Sequence, residues 1–217
     1  MNAHVITNSH KEEDSKDSKI GTTKRGNGPA YRDKYNRNGF RAEDMPNLQE
    51  YLIDIYEELY SKDDVEILFE GAQGFGLDID HGDYPYVTSS HCTTAAALLN
   101  GVPPQAVRNV WGVAKIYETY VGAKAFQPHD SVFDALQEIG EEFGATTGRK
   151  RQCNWTDLDT LMKAVRMNGV TDLVFNKMDV LREVGEWKFY NNGNIVQLES
   201  EQEVKSWLTS FFSNSPT

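Results

Sequence analysis

The sequence predicts an α/β fold with a mostly parallel central sheet and flanking helices, and three observations predict it. Apolar residues at helical spacing over 46–61 lead into the short run Val65-Glu66-Ile67-Leu68-Phe69-Glu70, which ends in a Gly-Ala-Gln-Gly turn. Two further apolar runs, 110–117 and 172–175, each pass into a polar loop. Helix-start signals stand at 156–159 and 200–203, so strands and helices alternate along the chain.

In order, residues 1–19 read as a polar mobile segment, since 9–19 are almost all charged or small and polar. Residues 20–29, rich in Gly and Thr, suit a loop whose backbone approaches a ligand closely. Leu48, Tyr51, Leu52, Ile55, Tyr56 and Leu59 share one face of an amphipathic helix over 46–61, with carboxylates opposite. The strand at 65–70 carries Gly71-Ala72-Gln73-Gly74 at its C-terminal end, a favoured ligand position in such sheets. Thr156-Asp157-Leu158-Asp159 opens a helix with Leu158, Leu161, Met162 and Val165 on one face. Ser200-Glu201-Gln202-Glu203 is a capping box before Val204, Trp207, Leu208, Phe211 and Phe212. Residues 20–212 are expected to form a single domain and 213–217 a tail.

Composition narrows the function classes. With 217 residues, 39% of them apolar and 11% aromatic, the chain can bury one substantial core. Its net charge of -11 argues against the basic surface that grips nucleic-acid backbone. Cys92 and Cys153 have no spacing that suggests a disulfide framework or a metal site. No run of about twenty apolar residues and no signal peptide is present, so no membrane is expected and a cytoplasmic location is.

Several segments carry chemistry. Gly21-Thr22-Thr23-Lys24-Arg25-Gly26-Asn27-Gly28-Pro29 combines flexible backbone, hydroxyls and cations, which suits either a phosphate grip or a plain turn. Gln73, flanked by Gly71 with Ala72 on one side and by Gly74 on the other, offers an amide that can both donate and accept, as a purine edge requires; a structural role is the alternative. Asp78-Ile79-Asp80-His81-Gly82 reads either as a metal cluster or as a hydrogen-bonded turn scaffold. Hydroxyls of Tyr84-Pro85-Tyr86-Val87-Thr88-Ser89-Ser90 suit a phosphate. Gly144-Ala145-Thr146-Thr147-Gly148-Arg149-Lys150-Arg151 is a cationic loop that suits a small dianion such as aspartate, or else a solvated charge run. Asn176-Lys177-Met178-Asp179 matches a guanine-reading pattern in which the Asp accepts from N1 and N2 hydrogens, although Asp179 could equally cap a helix.

The order of these segments over residues 20–181 resembles the adenylosuccinate synthetase family, above all in Gly28-Pro29-Ala30-Tyr31 and in the runs 70–74, 78–82, 84–90 and 143–151. The resemblance implies a P-loop-NTPase-like ligase domain that joins L-aspartate to C6 of a purine nucleoside monophosphate, with IMP the usual substrate, a nucleoside triphosphate (GTP) as donor, and Mg²⁺. It implies that Gln73 holds the base near O6, and that Thr23, Lys34, Arg37, Thr88 and Arg149 bind the monophosphate. Ala145, Thr146, Thr147, Gly148, Arg149, Lys150 and Arg151 resemble the aspartate loop, and Arg151, Asn176, Lys177, Met178 and Asp179 the donor-nucleotide site. The arginine matching Arg37 reaches a neighbouring subunit in the family, which implies a homodimer.

The departures are as specific. The family's N-terminal Gly-Asp-Glu-Gly-Lys-Gly loop and its Gly-His-Asp segment have no counterpart, and His4, His10, His81, His91 and His129 stand in other contexts. The domain is therefore expected to be N-terminally incomplete, with no metal ligand of its own, and a non-catalytic nucleotide-binding fragment is the alternative. Shortened segments after Ser90, Tyr120 where an Arg is usual, and a compact C-terminal region resemble short phage-encoded relatives. Those make the 2-amino product from dGMP, some with ATP or dATP, in which case the host cytoplasm is the expected location.

Overall fold

The computed structural model describes residues 20–23, 25–144 and 148–213. They fall into two compact units divided between Arg108 and Asn109.

The first unit is made of short helices and turns. Helix α1 spans Asn27–Asn36 and starts from Gly26, whose φ of 77° lies in the left-handed region that favours glycine. The helix expected over 46–61 is broken: Pro46–Tyr51 forms a 3₁₀ turn, and helix α2 begins afresh at Ile55–Tyr60. Asp54 causes the restart, because its carboxylate accepts from the backbone N–H groups of Tyr56 and Glu57 at 2.8 and 3.2 Å and so competes with continuation of the previous turn. The strand expected at 65–70 does not form; the segment is exposed throughout, Leu68 at 95%. Its β-prone side chains have no ladder partner among the described residues, and preference without a partner makes no strand. Helix α3, Ala95–Leu99, follows. Pro29 and Ala97 are buried apolar residues of this unit.

The second unit carries the core. Strand β1, Trp111–Lys115, runs on through Ile116 into β2, Tyr117–Tyr120, so the strand expected at 110–117 is longer and changes partner midway. Strand β3 is Gln152–Asp157, β4 Asp172–Asn176, β5 Trp187–Asn191 and β6 Asn194–Leu198. β1 pairs with β4 in parallel, β2 with β3 antiparallel, β3 with β5 in parallel, and β5 with β6 antiparallel. The strands form two sheets, β1–β4, which is parallel, and β2–β3–β5–β6, which is mixed, so the expected mostly parallel sheet is realised only in part. One source of the difference is the β5–β6 hairpin, closed by Asn192 and Gly193 at φ 49° and 71°, the left-handed pair of a tight two-residue turn.

Helices pack against these strands: α4 is Ser131–Ile139, α5 Leu158–Asn168, α6 Met178–Val184 and α7 Glu201–Ser213. Asp157 caps α5 through the N–H groups of Asp159 and Thr160, and Gly169 ends it at φ 61°. Ser200 caps α7 by accepting from Glu203 N–H, while the Glu203 carboxylate reaches back to Glu199 N–H. The core joins Ile116, Tyr117, Phe133, Leu136, Leu158, Leu181, Phe189 and Val204, with Trp207, Phe211 and Phe212 packed against it.

Candidate functional site

In the first unit, Thr23 is exposed, whereas the neighbouring Thr22 buries an Oγ1 with no hydrogen-bond partner among the described residues. Lys34 lies in the last turn of α1, and Arg37 closes that helix at φ 62°; both side chains are exposed. Residues 70–74 are wholly exposed, and Gln73 sits at φ 63°, a conformation a non-glycine residue rarely holds. Its amide makes no hydrogen bond among the described residues.

Residues 74–92 are a closed, internally bonded loop. Asp78 is fully buried; its Oδ1 accepts from Asp80 N–H and His81 N–H at 3.0 Å each, and its Oδ2 from Cys92 N–H at 2.6 Å. Burial alone pushes this carboxyl upward, but the three N–H donors outweigh it and hold it below its ordinary 3.8. Leu77 O accepts from Thr88 N–H at 2.9 Å and Ser90 O from Ile79 N–H at 3.2 Å, which fixes the run carrying Thr88. Gly82 admits no side chain, since a Cβ there would lie 2.5 Å from Gly76 O and 2.6 Å from Asp78 O.

Asp78, Asp80 and His91 bring three metal-capable atoms within 4.8 Å of one another. They do not fit Mg²⁺: both Asp78 oxygens are occupied by backbone amides, and an imidazole is a poor partner for so hard an ion. Of the two readings of this segment, the structure gives the turn scaffold.

In the second unit, the cationic loop rises from a narrow neck. Phe143 and Lys150 form a bridge, Gly144 N–H donates to Arg149 O at 2.8 Å, Gly148 N–H to Gly144 O at 2.7 Å, and Arg151 N–H to Glu142 O at 2.9 Å. Ala145, Thr146 and Thr147 lie outside the described residues. Gly148 takes φ 63°, Arg149 is half-buried and Lys150 exposed. Beneath the neck, Glu142 is fully buried and receives Lys115 Nζ, Tyr117 OH and Arg151 Nη1, each at 2.7 Å. Burial would raise its carboxyl, yet the donors from Lys115, Arg151 and Tyr117 hold it below 4.5.

Asn176 ends β4, and Lys177, at φ 63°, leads into α6 while its Nζ donates to Gly140 O at 2.8 Å. Asp179 lies exposed in the first turn and does not cap the helix, which leaves its carboxylate available. Met178 joins Leu173, Phe175, Val204, Leu208 and Phe212 around a groove of about 300 Å³.

The family model described as adenylosuccinate synthetase matches residues 1–64 and 46–195. This chain belongs to the adenylosuccinate synthetase family. The match begins at residue 1 and so takes in the polar segment 1–19. Adenylosuccinate synthetase of Chlorobium phaeobacteroides is 39% identical over 234 residues, covering 83% of this chain and 54% of the relative. That of Nitratidesulfovibrio vulgaris is 35% identical over 274 residues, covering 99% and 64%. The chain thus spans between half and two thirds of the length of these relatives. Among solved structures, fully ligated adenylosuccinate synthetase from Plasmodium falciparum aligns with TM-score 0.68 and 28% identity over 88% of this chain and 57% of that one. Cyanophage S-2L succinoaminodeoxyadenylate synthetase, bound to dGMP and dATP, aligns with TM-score 0.61 over 94% and 69%; at 19% identity that likeness concerns the fold.

Within this chain, Thr23, Lys34, Arg37, Gln73 and Thr88 lie in the first unit, and Gly148, Arg149, Lys150, Arg151 and the 176–179 motif in the second. Sequence reading missed Lys115, Tyr117 and Glu142. Two signals were available: a lysine inside an apolar strand, and an acid directly before the cationic loop.

Proposed function

We propose that this chain carries the purine-monophosphate, aspartate and donor-base loops of a ligase that joins L-aspartate to C6 of a 6-oxopurine nucleoside monophosphate, IMP to adenylosuccinate. Residues 20–212 act as its ligase domain. In the first step N1 of the purine gives up its proton to solvent, O6 attacks the donor's γ-phosphorus, an O6–P bond forms and the nucleoside diphosphate leaves. In the second the aspartate amine attacks C6, the C6–O6 bond breaks, inorganic phosphate departs and the amine loses its proton to solvent. Phosphorylation is needed because an oxide cannot leave, and charge on O6 is where a protein donor helps most.

Gln73 supplies that donor, and Thr23, Lys34, Arg37, Thr88 and Arg149 hold the monophosphate. The loop at 145–151 takes the two carboxylates of aspartate. Lys177 and Asp179 read the base of GTP, with Mg²⁺ accompanying the triphosphate. Arg37 serves the neighbouring subunit of a homodimer, and the enzyme works in the cytoplasm. No described helix is long and apolar enough to cross a membrane.

The observation that carries this reading is the presentation of Gln73, exposed, at φ 63° and without a packing role, in a chain of this family. A second reading, 2-aminoadenylosuccinate from dGMP with ATP or dATP, is favoured by Tyr120. At the position where the family usually has an arginine, its ring lies 5.7 Å from that of Phe126 and 5.1 Å from Lys124 Nζ.

Calorimetric titration of IMP and of dGMP, with GTP and with ATP, separates the readings. Gln73→Ala is expected to weaken binding of the preferred monophosphate about tenfold, the worth of one well-placed hydrogen bond. Unchanged affinity would sink the assigned role. Binding without aspartate consumption in every pairing would leave the chain a non-catalytic nucleotide-binding fragment.

A further inference from the structure

We infer that Glu142 is a positioning residue that sets the cationic loop and Lys177 from a single turn; the roles of those two segments rest on the function proposed above. Residues 140–142 follow α4, and three strands of contact meet there. Arg151 is held at three points: its N–H by Glu142 O at 2.9 Å, its Nη1 by the Glu142 carboxylate at 2.7 Å, and its carbonyl by the Gln137 side-chain amide. Lys177 is held by Gly140 O at 2.8 Å. Lys115 and Tyr117, on either side of the β1–β2 junction, fix the carboxylate from behind.

The turn has no slack. A Cβ on Gly140 would lie 2.3 Å from the Tyr117 hydroxyl and 2.7 Å from Leu136 O. Charge is arranged in depth: Glu142 is completely buried, while the side chains of Lys115 and Arg151 remain 24% and 30% exposed. Two cations therefore face outward over one buried anion, and the surplus positive charge meets solvent at the foot of the loop. Because Glu142 occupies Arg151 Nη1, the guanidinium is pre-oriented in the way a carboxylate ligand needs, and little is lost in ordering it on binding. A buried ion pair of purely structural use would stabilise this unit without touching ligand affinity.

The full chain decides between the two. Glu142→Gln keeps the volume and removes the charge; Glu142→Asp keeps the charge and withdraws it by one methylene. Glu142→Gln is expected to speed amide exchange at Gly144, Gly148 and Arg151 by about tenfold and to weaken both L-aspartate and GTP by about tenfold, the size of one charge-assisted hydrogen bond. Glu142→Asp is expected to recover part of both losses. Unchanged exchange at those amides, or unchanged L-aspartate and GTP affinity alongside a lowered melting temperature, overturns the inference. If the unmutated chain binds neither L-aspartate nor GTP, the functional reading falls, while the exchange measurement still decides whether Glu142 sets the loop. Lys115→Met, which removes one partner only, gives the same comparison if Glu142→Gln does not fold.

Discussion

Replacing Glu118 by Gln isolates a carboxyl that folding holds in the wrong charge state. Glu118 lies in β2 and accepts from Asp157 N–H at 3.1 Å. Burial, followed by the nearby Asp157 carboxylate, pushes it from 4.5 up to about 7, against the opposing Asp157 N–H and Lys124. A folded-state value above the unfolded one means that the group's favourable contribution is complete below about 4.5 and is lost as pH rises through about 7. At about 1.36 kcal/mol per unit, the rise corresponds to roughly 3 kcal/mol, an upper bound once the site relaxes. Glutamine keeps the acceptor and never ionises. Urea unfolding between pH 4 and 8, followed by tryptophan fluorescence, measures the difference, and Trp111, Trp155, Trp187 and Trp207 all report on the second unit. The variant is expected to match the unmutated chain at pH 4 and to gain on it up to pH 8. A difference independent of pH, or a variant less stable at pH 8, refutes the reasoning.

Two further substitutions test the scaffold on either side of the proposed chemistry. Gly82→Ala forces a Cβ against two backbone carbonyls and is expected to cost about 1–3 kcal/mol of overpacking, to abolish IMP binding measured by calorimetry, and to leave the tryptophan-detected melt in place. Asp157→Ala removes the α5 cap and is expected to cost about 1 kcal/mol in urea unfolding; it also takes away one of the charges that raise Glu118, so the pH dependence of stability is expected to shrink with it.

Local signals were the legible ones. The caps at Asp157 and Ser200 and the apolar faces of α5 and α7 could be read because each depends on residues within a turn or two. The helix over 46–61 failed because periodicity is blind to Asp54, whose carboxylate offers the backbone a competing partner. At 65–70 the residue types describe a strand, but nothing in them names the neighbour a strand must have. Asn192-Gly193 is a hairpin signal in the sequence, and the antiparallel β5–β6 pair that it closes makes the four-stranded sheet less parallel than alternating strands and helices predict. The site loops showed their residue types plainly. What they could not show was Glu142 meeting Lys115 and Tyr117 across 27 and 25 residues, since only the packed second unit brings those groups together.

The exposed run at 65–70 bears on how the protein behaves in the test tube. Val65, Ile67, Leu68 and Phe69 present apolar side chains on backbone with no ladder partner among the described residues, the combination from which edge-to-edge self-association starts. Glu66 and Glu70, with the chain's overall charge of -11, are expected to oppose that association. Colloidal stability is therefore expected to be electrostatic in origin and to fall with added salt or acid before the second unit's core unfolds, which light scattering alongside tryptophan fluorescence would measure.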